Sequence, residues 1–295
     1  MRIFIFGANG MIGHKVYQEL KLLFPDTWAI MKTDFINIEK FNIYNKQKII
    51  CNFDARNFIN LENLLDSYKP DIIINAIGLT IRRGVYDSVF NSILINSSFP
   101  NFLNEWVNKT NKSKLIHFST DCVFKGDIGN YLDNSTPDSN DLYGRTKALG
   151  EVIGPNTLTI RGSFIGLEIF NHTELLDWVI SQNGNTIKGY SKVIYSGITT
   201  IRIARIIAFI IVNKIKINGI YNVSSIPISK YELIKLFQTS FNLNINVIKD
   251  EGYSSNKNLN SQNFYNLLGM NIPNWSDLIL ELKNDTLLNS NIYKL

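Results

Sequence analysis

The hydrophobic pattern opens with a short apolar run over residues 1–6. Glycines follow at positions 7, 10 and 13. An amphipathic stretch then places Val16, Leu20 and Leu23 on one face and stops near Pro25. This reads as strand, glycine turn, helix. The rhythm repeats. Residues 27–31 and 49–53 are β-rich, and Leu61, Leu64, Leu65 and Tyr68 recur at helical spacing before Pro70. Residues 71–76 and 114–119 are apolar strand candidates. Residues 93–107 predict a long helix that Pro100 must kink or bound. Residues 143–153 predict a helix, and 157–160 a strand. Apolar strands alternating with helices predict an α/β fold, a doubly wound parallel sheet of Rossmann type covered on both faces.

Past Arg161 the rhythm changes to loops rich in Gly, Asn and Ser. A strand over 219–224 lies between an apolar helix over 198–212 and a helix starting at Ser229. Ser229 with Glu232 forms a capping-box pattern. Residues 250–263 are polar and predict a loop. At 295 residues the chain has room for one large domain or two of ordinary size. The expected division is a dinucleotide-binding domain over 1–165 and 198–225, and a smaller C-terminal substrate lobe over 166–197 and 226–295. There is no internal repeat and no low-complexity linker.

The glycine loop carries the first chemistry. Gly7-x-x-Gly10-x-x-Gly13 follows a strand and opens a helix, so backbone N–H groups and the helix N-terminus can hold a pyrophosphate. Gly7, Asn9, Gly10, Met11 and Ile12 are the candidate cofactor contacts. The second strand ends Met31-Lys32-Thr33-Asp34, where Lys32 suits a 2′-phosphate and Asp34 a 2′-hydroxyl. Lys32 is the favoured reading, so NADPH is expected ahead of NADH. The second chemistry is Tyr143-x-x-x-Lys147. Residues four apart share a helix face, and an ammonium beside a phenol is expected to lower its pKa, so that Tyr143 exchanges protons near neutral pH. Thr120, in Ser119-Thr120-Asp121-Cys122 at the end of a strand, is placed to hydrogen-bond a substrate oxygen.

Composition narrows the partners only a little. Thirty Lys and Arg against twenty-five Asp and Glu leave a net charge of +5. That mild excess suits an anionic small molecule, and without a dense basic run nucleic acid is not expected. Cys51 and Cys122 form no metal spacing or disulfide framework, so no metal is expected and a reducing cytoplasmic setting is. No signal peptide or membrane span is visible; the apolar run at 206–212 is far too short.

The glycine spacing resembles the extended short-chain dehydrogenase/reductases. STDCVFKG, YGRTKALGE and LTIRGS resemble the dTDP-4-dehydrorhamnose reductase family over nearly the whole chain. NAIGLT and KGYSKVIYSGITT resemble its sugar-nucleotide 4-reductases, some of which act on 2-acetamido sugars. The resemblance implies an NAD(P)H-dependent oxidoreductase for a nucleotide-linked 4-keto-6-deoxyhexose serving surface-glycan synthesis. It implies that Asp54 and Ala55 border the adenine, and that Asn75, Ala76 and Gly78 run beneath the cofactor. Tyr143, Lys147 and Thr120 become the catalytic set, Lys147 also holds the nicotinamide ribose, and Asn96 resembles the structural fourth member. The partner implied is a nucleoside diphosphate sugar, met by Asp121, Arg161, His172 and Tyr195, with Arg82, Arg83 and Lys188 as further candidates. A homodimer is the assembly to test.

Related dehydratases carry Thr-Asp-Glu where this chain has Thr120-Asp121-Cys122, which argues against dehydration. The epimerase/reductase that makes GDP-fucose has a Cys and a His in places similar to Cys122 and His172. A bifunctional C3 or C5 epimerase and reductase is therefore one alternative, and a non-catalytic NADP-binding regulatory subunit is another. His14 and His117 read as structural.

Overall fold

A computed structural model describes residues 1–80 and 88–293. Among them, seven parallel strands form the main sheet in the order β10-β6-β5-β4-β1-β2-β3. The strands are β1 (Ile3–Phe6), β2 (Thr27–Ile30), β3 (Ile49–Ile50), β4 (Ile72–Asn75), β5 (Lys114–Phe118), β6 (Thr157–Arg161) and β10 (Gly219–Asn222). Both faces are covered, which is why the strands read as unbroken apolar runs. Ile5, Ile74, Ile116 and Ile160 pack on one face with α1 (Met11–Leu23) and α7 (Thr200–Val212). Phe4, Phe6, Ile73 and Leu115 pack on the other with α2 (Phe58–Tyr68) and α4 (Phe99–Thr110). The strand order reverses between β1 and β4, and ligands bind at such switch points, beyond the carboxyl ends of the strands.

The long helix expected at 93–107 is broken as its proline requires. It comprises α3 (Val89–Ile93), a π-helical turn over Leu94–Ser98, and α4 with Pro100 in its first turn. A proline has no N–H to bond the carbonyl four residues back, which is that of Asn96. The freed carbonyl lies so close to Gly150 that a Cβ there would come within 1.9 Å of it. Ser97 Oγ donates to the Thr146 carbonyl at 2.7 Å and Asn101 Nδ2 to that of Leu149 at 3.1 Å. The break thus docks α5 (Leu142–Leu149) against the π-helical turn and α4.

Outside the main sheet, β8 (Thr186–Tyr195) pairs antiparallel with β11 (Ile228–Ser229) and parallel with β12 (Asn246–Asn256), and β7 (Phe164–Ile165) pairs with β9 (Ile198–Thr199). The expected loop at 250–263 is thus in part the strand β12. Most β12 side chains are exposed, so no apolar alternation marks it, and its backbone bonds to β8 make it a strand. The chain continues through α6 (Leu175–Ser181), the capped helix α8 (Lys230–Ser240), α9 (Gln262–Leu268) and α10 (Trp275–Leu288). The capping box of Ser229 and Glu232 forms as expected. Among the described residues, no helix is long and apolar enough to cross a membrane.

Candidate active site

One cleft of about 590 Å³ opens along the carboxyl ends of the strands, a size ordinary for ligand sites. Gly7, Asn9, Gly10, Met11 and Ile12 form its floor. Gly7 has φ +77°, and a Cβ on Gly13 would come within 2.0 Å of the Gly7 carbonyl oxygen, so only glycine lets α1 start this close to β1. A turn packed this tightly leaves the first N–H groups of α1 facing the cleft, where a pyrophosphate fits. Gly13→Ala should weaken dinucleotide binding about 10- to 100-fold through overpacking strain. Calorimetry on folded variant protein checks this, and wild-type affinity would refute it.

At the adenine end, Lys32 lines the cleft and Asp34 does not. Asp34 instead caps a short turn by accepting from the Ile36 N–H. Asp54 and Ala55 line the cleft as expected. The Asp54 carboxylate is engaged by Arg56, with Nη2 at 2.6 Å and Nε at 2.9 Å. That contact first, and the nearby Lys32 last, hold Asp54 down at about 2. Arg56, two residues on, also lines the cleft and was not anticipated from the sequence. Ala76 and Gly78 line it, but Asn75 does not. Asn75 is fully buried; its Oδ1 accepts from the Ile77 N–H at 3.0 Å and its Nδ2 donates to His117 Nδ1 at 3.1 Å. Its role is to shape the loop that touches the cofactor space, because a side chain in the middle of a parallel sheet points into a covered face. Asn96 ties Leu79 to Thr146, accepting from the Leu79 N–H at 2.9 Å and donating to Thr146 Oγ1 at 3.1 Å. Arg82 and Arg83 lie outside the described residues.

Thr120, Asp121, Cys122, Tyr143 and Lys147 meet at the far end of the same cleft. Lys147 is buried, and its Nζ donates to the Phe118 carbonyl at 2.6 Å. Burial brings its pKa down to about 8, opposed by Glu151. The expected lowering of the Tyr143 phenol by Lys147 is not what the fold produces. Burial, and then the neighbouring Cys122, push that phenol up, and only a hydrogen bond with Thr120 opposes them. The ammonium is spent on a backbone carbonyl, and desolvation of the phenolate wins. Burial likewise pushes the Cys122 thiol up to about 12, with Asp121 adding to the effect. Asp121 is itself raised by burial.

Tyr195, from β8, lines the cleft as expected, beside two residues the sequence reading missed, Glu174 and Lys230. Lys230 Nζ sits 3.7 Å from the Tyr195 ring centroid, within cation–π reach. Glu174 precedes α6 as its N-cap, and Lys230 is the first residue of α8 behind the Ser229 cap. The Ser229 capping box is a local signal next to Lys230; Glu174 makes no side-chain cap bond, and no local signal marks it.

Two expected substrate contacts go elsewhere. Arg161 is 1% exposed and absent from the cleft lining. Its Nε and Nη2 form a bidentate pair with Glu151 at 2.8 and 2.7 Å, and Nη1 reaches the Asp133 carbonyl at 3.2 Å. It ends β6, next to the edge strand β10, and Glu151 and the Phe124 ring, 5.0 Å from its guanidinium, hold its side chain away from the cleft lining. His172 lies outside the cleft lining, with Nδ1 2.8 Å from Asp177 Oδ1. Lys188 is also outside it, paired with Asp250 at 3.0 Å on the outer sheet. His14 and His117 are fully buried, as expected of structural residues.

Known proteins resemble this chain in sequence and in fold. The dTDP-4-dehydrorhamnose reductase of Aggregatibacter actinomycetemcomitans is 28% identical over 169 residues, 55% of this chain and 51% of that protein. The methionine adenosyltransferase 2 subunit beta of Xenopus tropicalis is 27% identical over 155 residues, 51% of this chain and 41% of that protein. The chain therefore spans about half the length of the curated relatives it matches. The crystal structure of dTDP-4-dehydrorhamnose reductase from Bacillus anthracis in complex with NADP superposes with a TM-score of 0.78, at 21% identity over 97% of this chain and 99% of that one. At that identity the likeness establishes the shared fold. The sequence profile of the RmlD substrate binding domain matches residues 1–165, more than half of the molecule and the part that builds the glycine loop and the Tyr143–Lys147 helix, and the chain belongs to that family.

Proposed function

We propose that this protein is an NADPH-dependent reductase of a nucleotide-linked 4-keto-6-deoxyhexose. The observation that carries the reading is the single cleft that joins the glycine loop to Thr120, Tyr143 and Lys147. The glycine cradle fits a pyrophosphate, and Lys32 facing the cleft while Asp34 turns away supports a 2′-phosphate. The name of one relative, a dTDP-4-dehydrorhamnose reductase, points to the same substrate class.

In this reading the bound nicotinamide supplies the hydride. Tyr143, kept protonated by burial, donates its proton to the C4 oxygen as negative charge develops there. Thr120 hydrogen-bonds the same oxygen, and Lys147, which gives one N–H to the Phe118 carbonyl, has two more for the nicotinamide ribose. At the substrate end, Lys230 takes the diphosphate that Arg161 was expected to meet. Glu174 and Tyr195 accept from and donate to sugar hydroxyls. The lobe over 166–197 and 226–295 closes around the nucleotide. Two free thiols, Cys51 and Cys122, are compatible with the cytosol, where reduced dinucleotide is available.

The pH dependence follows from Lys147. Its protonated form is the working one, and it is lost as pH rises through about 8. Tyr143 stays protonated above that point. Turnover in the reductive direction should be flat below about pH 7.5 and fall toward tenfold per unit above about 8.5, as for loss of one essential proton. A profile flat to pH 10 would overturn the role given to Lys147.

The deciding assay follows NADPH and NADH oxidation against 4-keto-6-deoxy sugars on dTDP, UDP and GDP, 2-acetamido forms included, in deuterated water. Oxidation without deuterium at C3 or C5 supports the reductase. Deuterium at either carbon replaces it with an epimerase/reductase, a reading weakened by a thiol at about 12 and by His172 lying outside the cleft lining. Tight NADPH binding without oxidation replaces it with a regulatory subunit.

A further inference from the structure

The glycine loop is held from behind by two phenols remote in sequence. Tyr44 donates its hydroxyl to the Ala8 carbonyl at 2.9 Å. Tyr293 lies 2.8 Å from His14 Nε2, and His14 Nδ1 lies 2.9 Å from the Gly10 carbonyl. Because a carbonyl can only accept, Nδ1 carries the proton, Nε2 accepts from the phenol, and the chain runs Tyr293 to His14 to Gly10. His14 is fully buried and Tyr293 is 5% exposed, so water does not compete for these bonds. Tyr293 lies beyond α10, 279 residues from His14. A second buried contact, Lys15 Nζ to Asp285 at 2.8 Å, fastens α10 to the same helix.

A trans peptide points its C=O and N–H in opposite directions. Anchoring the Ala8 carbonyl behind the loop therefore turns the Asn9 N–H forward. Anchoring the Gly10 carbonyl does the same for the Met11 N–H. Both residues line the cleft where the pyrophosphate is placed. We propose that Tyr44 and Tyr293, the latter through His14, are positioning residues for the dinucleotide pyrophosphate, so that the C-terminal segment is a working part of the cofactor site. The proposal rests on the reading of the glycine loop as a dinucleotide site.

The test uses the full chain with Tyr44→Phe, Tyr293→Phe and the double variant. Each change removes one oxygen and keeps the ring, and a thermal melt confirms folding. Tyr265→Phe is the control, because the Tyr265 hydroxyl is buried without a hydrogen-bond partner among the described residues. Calorimetry measures NADPH, ADP-ribose and adenosine. The loss of one buried hydrogen bond should raise the Kd for NADPH and ADP-ribose about 3- to 10-fold per variant. Adenosine, which lacks the pyrophosphate, should bind unchanged, and in turnover the loss should appear in KM for NADPH ahead of kcat. Unchanged Kd values in both tyrosine variants, an equal loss for adenosine, or an equal loss in Tyr265→Phe would overturn the proposal. Failure of the wild-type chain to bind any dinucleotide would overturn the reading beneath it as well, and is distinguishable because no variant is needed to see it.

Discussion

Tyr143→Phe is expected to lower turnover of the 4-keto sugar about 10²- to 10⁴-fold, the usual worth of a positioned proton donor. Its Kd for NADPH should stay within about twofold. The phenol lies in the cleft with Thr120 and Lys147, and the proposed mechanism makes it the donor to the C4 oxygen. Phenylalanine keeps the ring that packs there and removes only the donor. Its neighbour Cys122 has no part in the proposed proton transfer, so Cys122→Ser should retain most activity. A Tyr143→Phe enzyme with near wild-type kcat would remove the proton donor from the mechanism. Loss of NADPH binding in the same variant would instead point to a collapsed site.

Arg161→Ala is expected to destabilise the fold by about 3–5 kcal/mol, the range seen when one member of a buried ion pair is removed. The Arg161 and Glu151 side chains are only 2% and 4% exposed. Removing the guanidinium leaves the Glu151 carboxylate buried without its main partner, although Ser119 Oγ still donates to it at 2.7 Å. For a chain of this size such a loss corresponds to a fall in Tm of about 10 °C. The measurement separates the two roles considered for this residue. A variant with unchanged Tm and a raised KM for the sugar nucleotide would restore Arg161 to the substrate site. A lower Tm with unchanged KM in the surviving folded protein fits the ion pair seen here.

The parts of the site that were legible in the sequence are those whose geometry is set within a few residues. The glycine turn after β1 needs no distant contact to be recognised, because Gly7 and Gly13 approach each other within one turn. Tyr143 and Lys147 share a face of α5 by helical spacing alone. The apolar strands, covered on both faces, announced the doubly wound sheet. The helix break at Pro100 followed from its missing N–H.

What the sequence could not determine depended on which distant groups share a buried space. Arg161 sits at the end of a strand beside the cleft, yet Glu151, ten residues away, captures its side chain inside the fold. Lys147 was expected to lower the Tyr143 pKa, but the Phe118 carbonyl holds its ammonium, and burial decides the direction for the phenol. Glu174 and Lys230 stand in the cleft only because α6 and α8 begin at its mouth, and the polar strand β12 exists only because β8 offers it an edge. Local spacing fixed the elements and the chemistry carried on single turns. Desolvation and charge pairing are properties of a packed interior, and these were decided only when the tertiary structure brought the partners together.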